Sequence, residues 1–177
     1  MNPAPGRMEH AMHATTLSRR NLLVGATALA GSMLALGTSA CASEPARRYP
    51  FVLTDAQWRR RLTPMQYYVL RQEGTERPYS HALNEEHRAG QFRCAGCALP
   101  LFSSTTKFES GTGWPSFYAP LRGAVVTATD LSIGLPRTEV NCARCGGHLG
   151  HVFDDGPQPT GKRYCMNGAA MAFVASA

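Results

Sequence analysis

Four of the six cysteines form two close pairs, Cys94-Ala-Gly-Cys97 and Cys142-Ala-Arg-Cys145, separated by 44 residues. Each pair follows a β-type run. A tight turn after a strand aims two sulfurs at one point, and two such turns complete a tetrahedron of thiolates around Zn²⁺. With so long an interval, the ligands come from distant parts of the chain and would hold two sheets together. Two other readings compete. One is a pair of disulfides in an oxidising compartment. The other is a redox C-x-x-C, which needs only one pair and a helix start. Four thiolates would close the coordination sphere, so such a metal is structural and does not activate water.

Cys165 stands apart. It follows His151 by 14 residues, and His148 and His151 lie three apart just after the second pair. The thiolate is the nucleophilic form of cysteine, and a nearby cation such as Arg163 or a protonated histidine favours it. Histidine donates protons in the accessible pH range. The turn-rich segment 154–161 lies between two β-type runs, which predicts a hairpin setting Cys165 beside the histidines. A lone cysteine is more often a small buried hydrophobe. Two histidines alone are more often structural or extra metal ligands. An unpaired cysteine, two histidines and an arginine two residues before the thiol together favour an active site. Residues Ser110-Gly111-Thr112-Gly113-Trp114-Pro115-Ser116-Phe117 add glycines that permit unusual backbone angles. Trp114 and Phe117 are candidates to line a pocket for a small apolar group. The competing reading is a core tryptophan that anchors a loop.

These groups need a scaffold. Thr54 with Gln57, and Thr63 with Pro64 and Gln66, are capping signatures for two helices, and Gly74 lies beyond the end of the second. The helical period then fades. Short β-type runs follow at 91–94, 99–103, 124–129, 138–142, 149–153, 162–166 and 170–174. The fold class is α+β, mainly antiparallel β, with helices at the N-terminal side. The 12 prolines and 17 glycines fit a chain of short elements and many turns.

The first 42 residues have a different character. Ser18-Arg19-Arg20 precedes an uncharged stretch, Asn21–Ser43, rich in Leu, Ala and Gly. A charged start, an apolar middle and small residues at the end make a secretory leader, and the paired arginines point to twin-arginine export. A membrane anchor is the alternative, but the Gly, Ser and Thr content makes the stretch weakly hydrophobic. Cleavage near residues 40–42 is expected. Thr38-Ser39-Ala40-Cys41 also resembles a lipoprotein box, in which Cys41 would be kept and acylated. The organisation is therefore a signal over 1–42, an extended segment over 43–52 and a domain over 53–177. The expected location is the bacterial periplasm or cell envelope. Net charge is +6, but the basic residues are scattered. Nucleic-acid binding calls for a basic face or stripe and is not expected.

The residue pattern resembles one family. Arg93-Cys94-Ala95-Gly96-Cys97, the 110–117 segment, Arg137-Thr138-Glu139-Val140, His148-Leu149-Gly150-His151-Val152-Phe153 and Arg163-Tyr164-Cys165-Met166-Asn167 are similar to the motifs of the type B methionine-R-sulfoxide reductases, in order, from about Leu53 to Phe173. The resemblance implies two small antiparallel sheets, a β-tent, with a four-cysteine zinc site at one end. It implies reduction of the R epimer of methionine sulfoxide in peptides and proteins, with an external thiol or thioredoxin-like donor as reductant. By position, Cys165 resembles the nucleophile. His148, His151 and Asn167 resemble the groups that hold the sulfoxide oxygen and a water. Asp155 and Arg163 resemble supporting charges, and Trp114 resembles the wall for the substrate methyl.

One departure from the pattern matters. Thr112 stands where many members carry a recycling cysteine, so a direct attack by an external thiol on Cys165 is expected. A monomer is expected. A non-catalytic zinc-stapled binding module is the alternative from another class, and a thiol peroxidase or general disulfide reductase using Cys165 is a third reading.

Overall fold

The computed structural model describes residues 48–177. The sequence expectations for the leader, for Cys41 and for the start of the extended segment lie outside the described residues. Within them, the local signals act where they stand. Helix α1 spans Asp55–Arg61 and helix α2 spans Pro64–Gln72. Thr54 Oγ1 accepts from the Gln57 amide at 3.3 Å, and Gln57 Oε1 accepts from the Thr54 amide at 2.8 Å. Thr63 and Gln66 repeat this exchange at 3.2 and 3.0 Å. Each box satisfies N–H groups that a helix start leaves without an internal partner. Helix α2 ends at Glu73, which is left-handed at φ +57°. At Gly74 the chain turns back close against the Tyr68 ring, which a larger residue would have to displace.

Nine strands are found among the described residues, all antiparallel to their neighbours: β1 Gly90–Cys94, β2 Pro100–Ser103, β3 Lys107–Phe108, β4 Ser116–Phe117, β5 Val125–Asp130, β6 Arg137–Cys142, β7 His148–Phe153, β8 Arg163–Met166 and β9 Met171–Ala175. They make a three-stranded sheet in the order β2-β1-β9 and a six-stranded sheet in the order β3-β4-β8-β7-β6-β5. Seven strands match the expected runs to within a residue or two. The two-residue strands β3 and β4 carry too little pattern to be read from sequence.

The core lies among Phe92, Leu101 and Phe102 of the small sheet, Phe117, Val140, Leu149 and Met166 of the large one, and Val69 of α2, all essentially without exposure. Phe102 stacks on Phe117 at 4.3 Å, and Phe92 meets Phe117 edge-on at 4.9 Å. Burying each such side chain contributes roughly 1.5–3 kcal/mol. This packing ties the sheets together and corrects one expectation. Phe117 is a core residue without exposure and does not line the cleft on which Cys165 opens. On β4, Ser116 pairs with Cys165 and Phe117 pairs with Tyr164. Successive strand side chains point to opposite faces, so Phe117 turns away from the thiol.

Candidate active site and metal clasp

Cys94 ends β1 in the small sheet and Cys142 ends β6 in the large one, with Cys97 and Cys145 in the turns beyond. All four sulfurs are buried and lie within 4.8 Å of one another. Cys94 and Cys145 are 3.7 Å apart and Cys97 and Cys142 are 3.5 Å apart, neither pair bonded as a disulfide. A tetrahedron with metal–sulfur bonds of about 2.3 Å has edges of about 3.8 Å, so the residues fit a four-coordinate ion. Hydrogen bonding to Cys142 holds Cys97 below its ordinary thiol value and pushes Cys94 above it. Arg61 and Arg144 donate to the carbonyls of Gly96 and Cys97 at 2.6 and 3.1 Å, and Arg71 to that of Cys145 at 3.2 Å, which ties the knuckle turns to the helices and to each other.

Cys165 lies on β8, between β4 and β7, so both edges of its strand are paired. Its Cα partners are Ser116 on one side and His151 on the other. The hairpin expected from segment 154–161 therefore forms, and it sets the thiol beside a histidine. The half-buried Cys165 opens on a cavity of about 120 Å³, whose lining includes Trp114, His151, Asn167 and Thr75. That volume suits one side chain.

The two histidines reach one region only because β7 is irregular. Residues three apart on a regular strand point to opposite faces. Here Val140 pairs with Gly150, but Asn141 pairs with His148. Leu149 is thus an extra residue, a β-bulge that shifts the phase of the strand. The imidazoles end 5.3 Å apart, edge to face. Gly150, at φ +153°, completes the arrangement: a Cβ there would lie 2.2 Å from the Cys165 carbonyl oxygen.

Each histidine has its own carboxylate. His148 Nδ1 is 2.6 Å from Glu139 Oε1, and His151 Nε2 is 2.8 Å from Asp130 Oδ2. A carboxylate only accepts, so these nitrogens carry the protons. Burial pushes the His151 imidazole below its ordinary value, while Asp130 pulls the other way. Asp130 is itself held well below the usual carboxylate range, first by the Ser132 amide, which donates to it at 2.8 Å, and also by His151 and Arg137. Hydrogen bonding with His148 lowers Glu139. His151 lines the cleft with Cys165. His148 stands behind it, in an adjoining cavity that also contains Asp130 and Glu139.

Arg163 shares a face of β8 with Cys165. Its guanidinium grips Asp155 through two hydrogen bonds of 2.9 and 2.7 Å and lies over the Phe153 ring at 4.5 Å. It is raised above its ordinary value chiefly by Asp155, with Cys165 adding to the effect.

The opposite wall is the glycine-rich loop. Thr112 Oγ1 lies 3.7 Å from Cys165 Sγ, and Ser110 bridges Thr112 and Ser116 at 2.8 and 2.7 Å. Gly113 sits at φ +89°, and a Cβ there would lie 2.7 Å from Pro78. Trp114 Nε1 donates to the Glu76 carbonyl at 3.2 Å. Asn167 is buried, with Oδ1 accepting from the Glu76 amide at 3.0 Å and Nδ2 donating to the Leu149 carbonyl at 3.1 Å.

The structure thus gathers Cys165, His151, Asn167 and Trp114 around one cleft, with Arg163 and Asp155 beside it and His148 behind. Sequence reading missed Asp130, Glu139 and Glu76. Glu139 belonged to a quoted motif, and a carboxylate within reach of a histidine was the signal available for it.

Among known families, residues 62–175 match the SelR domain. A peptide methionine sulfoxide reductase MsrB of Thiobacillus denitrificans is 56% identical over 121 residues, covering 68% of this chain and 92% of that protein. One of Pseudomonas savastanoi is 57% identical over 119 residues, covering 67% and 91%. The chloroplastic peptide methionine sulfoxide reductase B1 of Arabidopsis thaliana is 50% identical over 147 residues, covering 79% and 73%.

Proposed function

The chain belongs to the SelR-domain family of peptide methionine sulfoxide reductases, and from that premise we propose that Cys165 reduces the R epimer of methionine sulfoxide in oxidised proteins. The chain is an oxidoreductase, not a passive zinc-stapled module. The observation that carries the detailed reading is the pairing of Cys165 with His151 across β8 and β7 at the mouth of a cleft sized for one side chain.

The chemistry follows from these groups. A sulfoxide oxygen leaves poorly until it is protonated. An imidazolium at His151, stabilised by Asp130, donates that proton as the Cys165 thiolate attacks the sulfoxide sulfur. In net terms, thiol plus sulfoxide gives thioether plus sulfenic acid. The oxygen passes to Cys165, which is oxidised by two electrons, and methionine is released. Asn167 holds the oxygen, Trp114 packs against the methyl group, and Arg163 with Asp155 supports the thiolate. His148, fixed by Glu139, orders a water beside His151. An external small thiol or thioredoxin-like donor then attacks the Cys165 sulfur, releasing water and leaving a mixed disulfide, and a second thiol of the donor displaces Cys165 from it as the free thiol.

The four clasp cysteines hold one Zn²⁺, which closes the sheets together and takes no part in turnover. The chain works as a monomer exported through its twin-arginine leader to the bacterial cell envelope, with residues 1 to about 40–42 removed or Cys41 lipidated. Support for export is the Ser18-Arg19-Arg20 start and the uncharged run after it. Cytoplasmic, uncleaved protein after changing Arg19 and Arg20 to Lys would bear this out, and normal export would count against it.

The deciding assay offers separated R and S epimers of a peptidyl methionine sulfoxide, with dithiothreitol as reductant. Only the R epimer is turned over, and Cys165→Ser abolishes the reaction. Equal turnover of both epimers, or activity in the serine variant, would overturn the reading.

A further inference from the structure

Glu76 is only 4% exposed, and no described ion pair includes it. A carboxyl group without a cation is costly to bury unless its oxygens are hydrogen-bonded. Its two oxygens accept from successive backbone amides, Gly168 at 2.5 Å and Ala169 at 2.8 Å. These belong to the 3₁₀ turn Gly168–Ala170, which directly follows the catalytic strand β8 and Asn167. The residue's own peptide groups are also committed. Its N–H goes to Asn167 Oδ1 and its carbonyl receives the Trp114 indole. One residue therefore touches the methyl-side wall, the oxygen-side amide and the turn that ends β8.

We infer that Glu76 is the positioning residue of the cleft: its carboxylate clamps the segment after α2 onto the turn after β8, so that its backbone fixes Trp114 and Asn167 relative to one another. The consequence for Asn167 is specific. Its Oδ1 is held by the Glu76 amide and one Nδ2 hydrogen by the Leu149 carbonyl. Neither contact survives a flipped amide, because each would then set donor against donor or acceptor against acceptor. The remaining Nδ2 hydrogen is the free donor, the partner that a sulfoxide oxygen requires. Glu76 touches neither Cys165 nor the histidines through any described hydrogen bond, so it acts on substrate placement and leaves the thiol alone. Thr75, the preceding residue, lines the cleft, so release of the clamp is felt there directly.

This inference rests on the sulfoxide reading for its substrate but not for its linkage, and the test separates the two. Glu76→Gln keeps the size, removes the charge and leaves one of the two amides facing an NH₂ group. In the folded, metal-loaded variant, KM for the R-sulfoxide peptide rises about tenfold, the scale of one lost charge-assisted hydrogen bond. The rate of Cys165 alkylation by iodoacetamide stays within about twofold. The Asn167 side-chain amide protons, slow to exchange in the wild type, exchange quickly in the variant. That last readout holds whatever the substrate proves to be. A wild-type KM, unchanged exchange at Asn167, or a parallel fall in alkylation and affinity would overturn the inference. Should E76Q not fold, Glu76→Asp decides, since it keeps the charge but draws the carboxylate back from the Gly168 and Ala169 amides. Faster exchange at Asn167 with unchanged alkylation supports the clamp, and unchanged exchange removes it.

Discussion

Thr112 places its hydroxyl 3.7 Å from the sulfur of Cys165. The two side chains face each other across the cleft at a separation that would bring a thiol at position 112 within bonding reach after a small rotation. This contact makes position 112 the place to test how an oxidised Cys165 is recycled.

A hydroxyl cannot displace a sulfenic acid. One equivalent of substrate without reductant will yield one methionine per chain and a sulfenic acid on Cys165 that a dimedone-type reagent traps. Thr112→Cys will instead give a disulfide between the introduced thiol and Cys165 after one turnover. Mass mapping reads both results. A disulfide from wild-type Cys165 to a clasp cysteine would mean that the metal site is redox-active, and one to Cys41 would mean that the leader cysteine is retained and working.

The clasp joins strands of both sheets, so removing a ligand should loosen the fold rather than the chemistry alone. Cys94→Ser will lose its metal, and a loss of about 3 kcal/mol would lower Tm by roughly 10 °C. Metal analysis and calorimetry on the same sample check this. Undiminished stability in a metal-free variant would be incompatible with a structural ion.

The pH dependence follows from His151. Burial lowers its pKa, so the imidazolium needed as proton donor is lost earlier as pH rises. Hydrogen bonding to Asp130 opposes that loss. Asp130→Asn should therefore move the alkaline limb of the kcat/KM profile to lower pH, by about one unit if the bond contributes about 1.4 kcal/mol. An alkaline limb that stays in place would remove His151 as the donor.

Gly150 supplies a sharper structural test. An added methyl would lie 2.2 Å from the Cys165 carbonyl, which is backbone held in a sheet and cannot swing away. Gly150→Ala should cost on the order of 2–4 kcal/mol, read as a lower urea midpoint, and should reduce activity by more than the folded fraction explains. Near-normal activity would show that β7 and β8 need not approach so closely.

Much of this was legible in the sequence where the cause was local. Thr54 with Gln57 and Thr63 with Gln66 are complete within four residues, so the helix starts could be read directly. The cysteine pairs carried their own geometry, and the turn residues between His151 and Cys165 announced the hairpin. What escaped depended on phase and distance. Phe117 was expected in the cleft because its neighbours suggested it, but a two-residue strand gives no alternation from which to choose a face. The bulge at Leu149 leaves no mark in composition, and without it the two histidines would diverge. Glu76 meets Gly168 across 92 residues of sequence, a separation over which no pattern rule operates.

The placement of β8 between two partners divides the cleft into unequal halves. Cys165 rides on an interior strand, laced on both edges, and the histidines stand on the next strand of the same sheet. Thr112 and Trp114 belong to a connection with two left-handed glycines and no ladder of its own. Cys165 and the histidines are therefore held by strand pairing, whereas Thr112 and Trp114 are held by hydrogen bonds from a loop. A substitution at position 112 thus changes the group that faces the sulfur without touching the strand that carries it.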